Sequence, residues 1–154
     1  MHSSTRNTII IVIGVLLLLG LLGYTAPKIG TAFDKGVARS TAQDFGKQLQ
    51  KVSLLERDAS STIASFYGPY VTPELLAIWQ QKPSKAPGRP TSSPWPDHID
   101  IVKITPQGES YIVEGDIILM TSTGEVGKIP VVMQLVRGES GKWLIAAYQE
   151  QGTR

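Results

Sequence analysis

An uncharged stretch of twenty-one residues near the N-terminus, from residue 7 to residue 27, constrains this chain more than any other feature. Its centre, residues 9–22, consists only of Ile, Val, Leu and two glycines. About 20 apolar residues in a helix cross the hydrocarbon layer of a membrane, and a helix satisfies its own backbone hydrogen bonds there. The pattern predicts a short tail and a single-pass transmembrane helix within residues 1–27.

Two alternatives compete with an uncleaved anchor. A buried core helix is disfavoured, because such helices are rarely apolar on all sides over this length. A cleaved signal peptide would need a small-x-small site, for which Gly30-Thr31-Ala32 is a weak match.

The positive-inside rule, counted naively, would leave the C-terminal domain in the cytoplasm. A short basic leader before a first apolar segment is typical of export, so we favour an uncleaved anchor in the cell membrane and an extracytoplasmic domain.

Composition excludes several function classes. The chain has no cysteine, which rules out a disulfide scaffold, a thiolate zinc site and a thiol nucleophile. Two histidines are too few for a typical histidine-built metal centre, and a formal net charge of +2 is too small for a nucleic-acid footprint. No phosphate loop, nucleophile elbow or metal-ligand spacing occurs in the sequence. We therefore expect no cofactor, no metal and no nucleic-acid partner.

The first half of the remaining chain has a helical period. Between residues 34 and 70 the apolar residues are separated by three or four positions, which predicts one long amphipathic helix that ends at Gly68-Pro69. This series is Phe45, Leu49, Val52, Leu55, Ala59, Ile63, Phe66 and Tyr70. A short second helix follows, with Thr72 as its cap and Pro73 in its first position.

A connection rich in proline separates this half from the next. Residues 83–96 hold five prolines in fourteen positions, which excludes a helix or a central strand. The segment also contains Trp95, and we expect it to be ordered and packed on the domain. In this interpretation Trp95 holds the loop in place, while Arg89, Ser92 and Ser93 stay exposed.

From His98 onward the pattern changes to strands. Four alternating apolar segments are separated by turns near residues 106–108, 123–125 and 138–141, which predicts an antiparallel meander. Consecutive apolar residues at 101–102 indicate a bulge in the first strand. Helices followed by strands give an α+β class, with the helices packed on a four-stranded sheet.

This order of elements resembles the NTF2-like (cystatin-related) α+β cone. More narrowly, three segments are similar to uncharacterised membrane-anchored proteins of Gram-positive bacteria, over about residues 55–150. These segments are Tyr70-Val71-Thr72-Pro73-Glu74-Leu75, Ala86-Pro87-Gly88-Arg89 and Ser92-Ser93-Pro94-Trp95-Pro96. The resemblance implies a membrane-proximal helical segment at 28–54, an NTF2-like domain at 55–150 and a tail at 151–154. Enzymes of this fold use a pocket Asp or an Asp–His pair, and no stretch here matches those motifs.

Four groups of residues are candidates for chemistry. His98 lies between Asp97 and Asp100, but the strand spacing directs Asp97 to the opposite face and puts Asp100 about 7 Å away, so we expect a plain polar strand end rather than a general base. Glu114 and Asp116 share one strand face, which is more typical of a solvated surface than of paired catalytic carboxylates.

Arg89, Ser92 and Ser93 could bind a carboxylate or a phosphate, although an Arg that satisfies loop carbonyls or caps the loop is the favoured interpretation. Tyr70, Trp79 and Asp116 are candidates for an interior pocket, although the aromatic residues are more typical of core.

Two function classes remain open at this stage. The favoured hypothesis is a non-enzymatic, membrane-anchored extracytoplasmic binding or assembly module that acts through a protein partner or a homo-oligomer. The alternative is a small-molecule carrier or enzyme that uses the interior of the cone, with an unknown ligand. A deep pocket with a buried carboxylate would favour the alternative, whereas a filled core would count against it.

Overall fold

The computed structural model describes residues 32–152, which form three α-helices followed by four β-strands. The helices are α1 (Ala32–Gly46), α2 (Ala59–Tyr67) and α3 (Pro73–Gln81). The strands are β1 (Trp95–Gln107), β2 (Ser110–Thr121), β3 (Gly124–Arg137) and β4 (Trp143–Glu150). They form one sheet in the order β1-β2-β3-β4, and every neighbouring pair is antiparallel. The predicted α+β class and four-stranded meander are therefore confirmed.

The predicted transmembrane helix, within residues 1–27, lies outside the described residues. Between residues 32 and 152 the structure contains no helix long and apolar enough to span a membrane.

The prediction of a single long helix between residues 34 and 70 is wrong, because the first helix ends at Gly46. α1 is followed by a 3-10 turn at Leu49–Lys51 and an irregular segment before α2 begins at Ala59. Gly46, a weak helix former, stands at the break and lies close to the sheet, since a Cβ on it would be 2.7 Å from the backbone nitrogen of Ile99. The turn still buries Leu49 and Val52, but it leaves Leu55, predicted to face the core, 71% exposed.

α1 runs along the inner face of the sheet. At one end its first turn contacts β3 through an ion pair between Asp34 and Arg137, next to the β1–β2 and β3–β4 hairpins. At the other end Gly46 lies against Ile99, near the β2–β3 turn. We call these the proximal and distal ends, by their order from residue 32. The fifteen residues of α1 separate them by about 20 Å.

One hydrophobic core lies between the helices and the inner face of the sheet. It draws on residues from both sides of the predicted boundary at residue 54. Its largest fully buried side chains include Phe45, Leu49, Ile63, Tyr67, Tyr111, Ile117, Met133, Leu135 and Ile145. At about 25 cal/mol per Å² of apolar surface removed from water, each large side chain contributes roughly 1.5–3 kcal/mol to folding.

A short segment before α3, residues 70–72, covers the outer edge of β4. Val71 forms a parallel bridge with Ile145. The Thr72 N–H donates to the Ile145 carbonyl at 2.9 Å, and the Ile145 N–H donates to the Tyr70 carbonyl at 2.8 Å. The Thr72 hydroxyl also accepts from the N–H of Leu75 at 3.4 Å, so the predicted cap of α3 is confirmed.

Candidate functional site

A polar groove opens at the distal end, between the last turns of α1 and the start of β1. Its volume is about 430 Å³ and it is open to solvent. The lining residues are Gln43, Lys47, Gln50, Asp97, His98, Ile99 and Asp100. Gln50, in the 3-10 turn, donates from Nε2 to the Asp97 carbonyl at 3.5 Å, which ties the turn to β1.

His98 lies between two carboxylates in this groove. Its Nδ1 is 2.8 Å from Oδ2 of Asp97, and its Nε2 is 3.4 Å from Oδ1 of Asp100. The expectation that Asp97 points away and that Asp100 is out of reach is therefore wrong. Asp97 is the extra residue of a bulge, because Pro96 pairs with Leu119 and His98 pairs with Ile118. The 7 Å between alternate residues of a strand is bridged by the length of the imidazole ring.

This geometry limits what His98 can do chemically. An ionised carboxylate only accepts hydrogen bonds, so Nδ1 of His98 donates to Asp97, whereas the approach of Nε2 to Asp100 is a contact without a hydrogen bond. A general base needs a ring nitrogen that faces its substrate without a competing partner. In this structure both ring nitrogens of His98 face protein carboxylates instead. The arrangement fixes the ring as part of a polar contact surface.

The α1 wall of the groove carries a paired cation. Lys47, which directly follows α1, donates from Nζ to Oδ1 of Asp44 in the last turn of that helix at 2.8 Å. This hydrogen bond and the charge of Asp44 raise the pKa of Lys47 above its ordinary value. Lys47 is therefore a charged, locally neutralised group at the rim, which suits an exposed polar surface rather than proton transfer.

Glu114 and Asp116 lie on the outer face of the sheet. Asp116 is directly opposite Asp100 of β1 and Pro130 of β3. Glu114 lies 3.9 Å from Nζ of Lys103 on the neighbouring strand. Among residues 32–152, no group of three or more His, Cys, Asp or Glu side chains is arranged to hold a metal ion.

The structure does not bring the three residues of the predicted pocket together. Tyr70 and Trp79 both pack on Phe45, on the inner side of the sheet. Their ring centroids lie 6.4 Å and 6.2 Å, respectively, from the ring centroid of Phe45. Tyr67 and Tyr148 complete this cluster, with ring centroids 5.0 and 5.9 Å from that of Phe45. Asp116 is on the outer face and takes no part in it. The space where the alternative hypothesis places a ligand is filled by these rings.

The backbone of the proline-rich loop is fixed at two points. The Tyr67 hydroxyl donates to the Pro87 carbonyl at 2.8 Å. The Arg89 N–H donates to the Val52 carbonyl at 2.8 Å, and the Leu54 N–H donates to the Arg89 carbonyl at 3.0 Å. The expectation of an ordered loop packed on the domain is therefore confirmed.

Gly88 is required for this attachment. Its φ is +152°, and a Cβ there would be 2.8 Å from the Val52 carbonyl oxygen. A larger residue would push the loop off the 52–54 turn, so Gly88 sets the position of its neighbour Arg89.

The side chains of the loop divide into three cases. Ser92 and Ser93 are exposed, as expected. Trp95 is half-buried at the start of β1, opposite Met120, and is not part of the core. Arg89 is half-buried rather than exposed, which corrects the expectation for this residue.

The environment of the Arg89 side chain is unusual. Its Nε is sealed from solvent and has no hydrogen-bond partner. Over the described part of the chain, no hydrogen bond or ion pair involves the Arg89 guanidinium, so the interpretation that it satisfies loop carbonyls is wrong. The sequence placed Arg89 in a candidate site, but the loss of solvent around Nε depends on tertiary packing and has no sequence signal.

No protein-family model matches the chain, and no curated protein is significantly similar to it.

Proposed function

We propose that the chain is a membrane-anchored, extracytoplasmic binding or assembly module with an NTF2-like domain, which presents its distal end to a protein partner. The observation that carries this proposal is the path of α1 along the sheet. α1 begins at residue 32, at the proximal end, and ends beside Ile99 at the distal end. The His98 groove and the Arg89 loop both lie toward the distal end, whereas the other buried side-chain nitrogen without a partner among residues 32–152, Nε1 of Trp143, lies at the proximal end.

The position of the anchor supports this orientation. Residues 28–31 connect the predicted membrane helix to α1, and they span at most about 17 Å when fully extended. The proximal end then faces the bilayer, and the distal end lies about 20 Å farther out. A module of this kind keeps its binding surface clear of the lipid headgroups.

The filled interior supports a surface-binding role over the alternative of an interior ligand. Phe45, Tyr67, Trp79 and Tyr148 occupy the space between helices and sheet. The carboxylate proposed for the pocket, Asp116, is on the outer face. The position of His98 also supports a binding surface, because Nε2 faces Asp100 at the rim of a groove that is open to solvent.

The absence of cysteine from the sequence allows a direct test of topology. Ser93→Cys introduces one exposed thiol at the distal end, and Ser4→Cys introduces one in the N-terminal tail. A membrane-impermeant maleimide applied to intact cells is expected to label the Ser93→Cys variant and to label the Ser4→Cys variant only after permeabilisation. The reverse pattern would place the domain in the cytoplasm and refute the proposed location.

A second experiment tests which end contacts a partner. A photo-reactive amino acid replaces Ser93 at the distal end or, as a matched control, Ser140 in the proximal β3–β4 hairpin; both serines are exposed. Irradiation of whole cells is expected to yield a discrete protein adduct from position 93 and not from position 140. Equal protein adducts from both positions, or none from position 93, would contradict the proposal. Intact mass of the membrane-extracted protein tests the uncleaved anchor in parallel.

A further inference from the structure

We infer that Arg89 and Leu55 form a site for an acidic peptide segment, in which a carboxylate of the partner binds the guanidinium and an adjacent apolar side chain of the partner contacts Leu55. This inference rests on the proposed function and names the chemistry of its partner. It depends on four observations: the attachment of the loop, the unpaired charge of Arg89, the local excess of cations and the exposure of Leu55.

The attachment of Arg89 pre-organises the site. Its backbone N–H and C=O are both bonded to the 52–54 turn, and Ser53 and Arg89 form a parallel bridge. Prolines at 87 and 90 restrict the neighbouring backbone further. A side chain presented from a fixed backbone loses less conformational freedom on binding, so more of the contact energy appears as affinity.

The charge of Arg89 has no partner within the domain. Lys47, Lys103, Lys128 and Arg137 each lie within 4.0 Å of a carboxylate. Arg89, like Arg39 and Arg57, makes no such contact with any residue between 32 and 152, but it is the one arginine in that range with a buried guanidinium nitrogen that makes no hydrogen bond. A guanidinium presents a planar fork of donors that matches a carboxylate, and such charge-assisted bonds are among the strongest available.

The surroundings carry a net positive charge, because Lys82, Lys85 and Arg89 outweigh the segment after Leu55, in which Glu56 and Asp58 flank Arg57. Between Glu74 and Asp97 the chain carries Lys82, Lys85 and Arg89 and no acidic residue. Lys82 and Lys85 are exposed. This local excess attracts an anionic partner and increases its rate of association.

Leu55 makes the site suitable for a peptide rather than for phosphate. It follows Leu54, whose N–H donates to the Arg89 carbonyl, and it is 71% exposed. Phosphate sites usually collect several free backbone N–H groups, whereas the N–H groups of Arg89 and Leu54 are already bonded within the protein. A single fork of donors beside an apolar side chain fits a carboxylate with an apolar neighbour.

Binding of two synthetic peptides to the full chain in an uncharged detergent tests this site. The probes are a fluorescein-labelled ten-residue peptide of alternating Glu and Leu and a matched peptide with Gln in place of Glu, followed by fluorescence anisotropy. The Glu peptide is expected to bind at least about tenfold more tightly, with an affinity that falls as salt is added. Arg89→Gln should remove that preference, and Arg89→Lys should retain part of it because it keeps the charge without the fork.

Lys142→Gln is the matched control, because it removes one positive charge at the proximal end. Its Kd for the Glu peptide should stay within about twofold of the parent value, since charges farther apart than the Debye length are largely screened. Leu55→Ser should weaken both peptides. The Arg89→Gln chain should keep the parent circular dichroism spectrum; if it fails to fold, the Arg89→Lys comparison decides instead.

Three outcomes would overturn the inference. The first is that the Glu and Gln peptides bind the parent chain with equal Kd values. The second is that the parent and Arg89→Gln chains bind the Glu peptide with equal Kd values. The third is that inorganic phosphate displaces the Glu peptide but acetate at equal ionic strength does not. Loss of the position-93 adduct with peptide binding intact would contradict only the proposed function. Loss of peptide preference with that adduct intact would contradict only the acidic-peptide site.

Discussion

Gly46 of α1 and Ile99 of β1 are in such close contact that a Cβ on Gly46 would be 2.7 Å from the Ile99 backbone nitrogen and 2.9 Å from its Cγ1. No real side chain tolerates that distance, so the helix and the strand would have to separate. This contact therefore fixes how near α1 lies to the sheet at the distal end, and with it the width of the His98 groove.

We expect Gly46→Ala to lower the free energy of unfolding by about 1–3 kcal/mol, because it overpacks the α1–β1 contact. Gly36→Ala is the matched control in the same helix, since a Cβ there meets nothing within 4 Å. That variant should gain about 0.5–1 kcal/mol from helix propensity. Urea unfolding of the full chain, followed by tryptophan fluorescence, measures both; equal effects would contradict the close contact.

We expect Tyr67→Phe to cost about 1–2 kcal/mol, because it leaves the buried Pro87 carbonyl without its donor. Tyr148→Phe provides the comparison, since the Tyr148 hydroxyl donates to the exposed Glu150 at 2.9 Å and its loss should cost less than about 0.5 kcal/mol. Limited proteolysis should also cut residues 86–96 faster in the Tyr67→Phe chain. Unchanged cleavage would mean that the hydroxyl does not hold the loop.

The stability of the domain should decrease at alkaline pH. Burial raises the pKa of Tyr67 and of Tyr148 above the ordinary value of 10.0, and the negative charge of Glu150 adds to both shifts. These tyrosines ionise near pH 10 in the unfolded chain but stay neutral in the folded chain. The free energy of unfolding therefore keeps its full value below pH 10 and decreases as the pH rises above 10. Each group contributes a slope of up to about 1.4 kcal/mol per pH unit. Unfolding of Tyr67→Phe should depend less steeply on pH between 10 and 11; an equal slope would refute the assignment.

Two tryptophan substitutions should differ in their effect on stability. Trp79 is 3% exposed and packs on Phe45 and Tyr148, so Trp79→Ala should cost about 3–5 kcal/mol. Trp95 is half-buried outside the core, so Trp95→Ala should cost about 1 kcal/mol. Thermal unfolding in the same detergent compares them. A cost for Trp95→Ala equal to that of Trp79→Ala would show that the loop is part of the core.

Elements with local signals could be predicted from the sequence. Thr72 and Pro73 start α3 because a cap and a proline in the first position act within one turn. The bulge in β1 was predicted from two adjacent apolar residues, and the register indeed shifts between Ile101 and Lys103. Alternation and turns predicted the meander for the same reason.

Features that depend on distant contacts could not be predicted. The helical period continued through residues 47–58 because a 3-10 turn buries Leu49 and Val52 at nearly the same spacing as a helix. Nothing in the sequence near Gly46 shows that the backbone of Ile99 will lie against it. The second bulge, at Asp97, has no apolar signal, so the contacts of His98 with Asp97 and Asp100 were missed.

The bridge between Val71 and Ile145 protects the outer edge of β4 while the chain is being made. An open strand edge can pair with another chain and start aggregation. Synthesis runs from the N-terminus, so residues 70–72 emerge long before β4 does. When β4 is the last strand to join the sheet, the segment that closes its outer edge at Ile145 is therefore already present, and the newly made chain exposes this part of the edge only briefly.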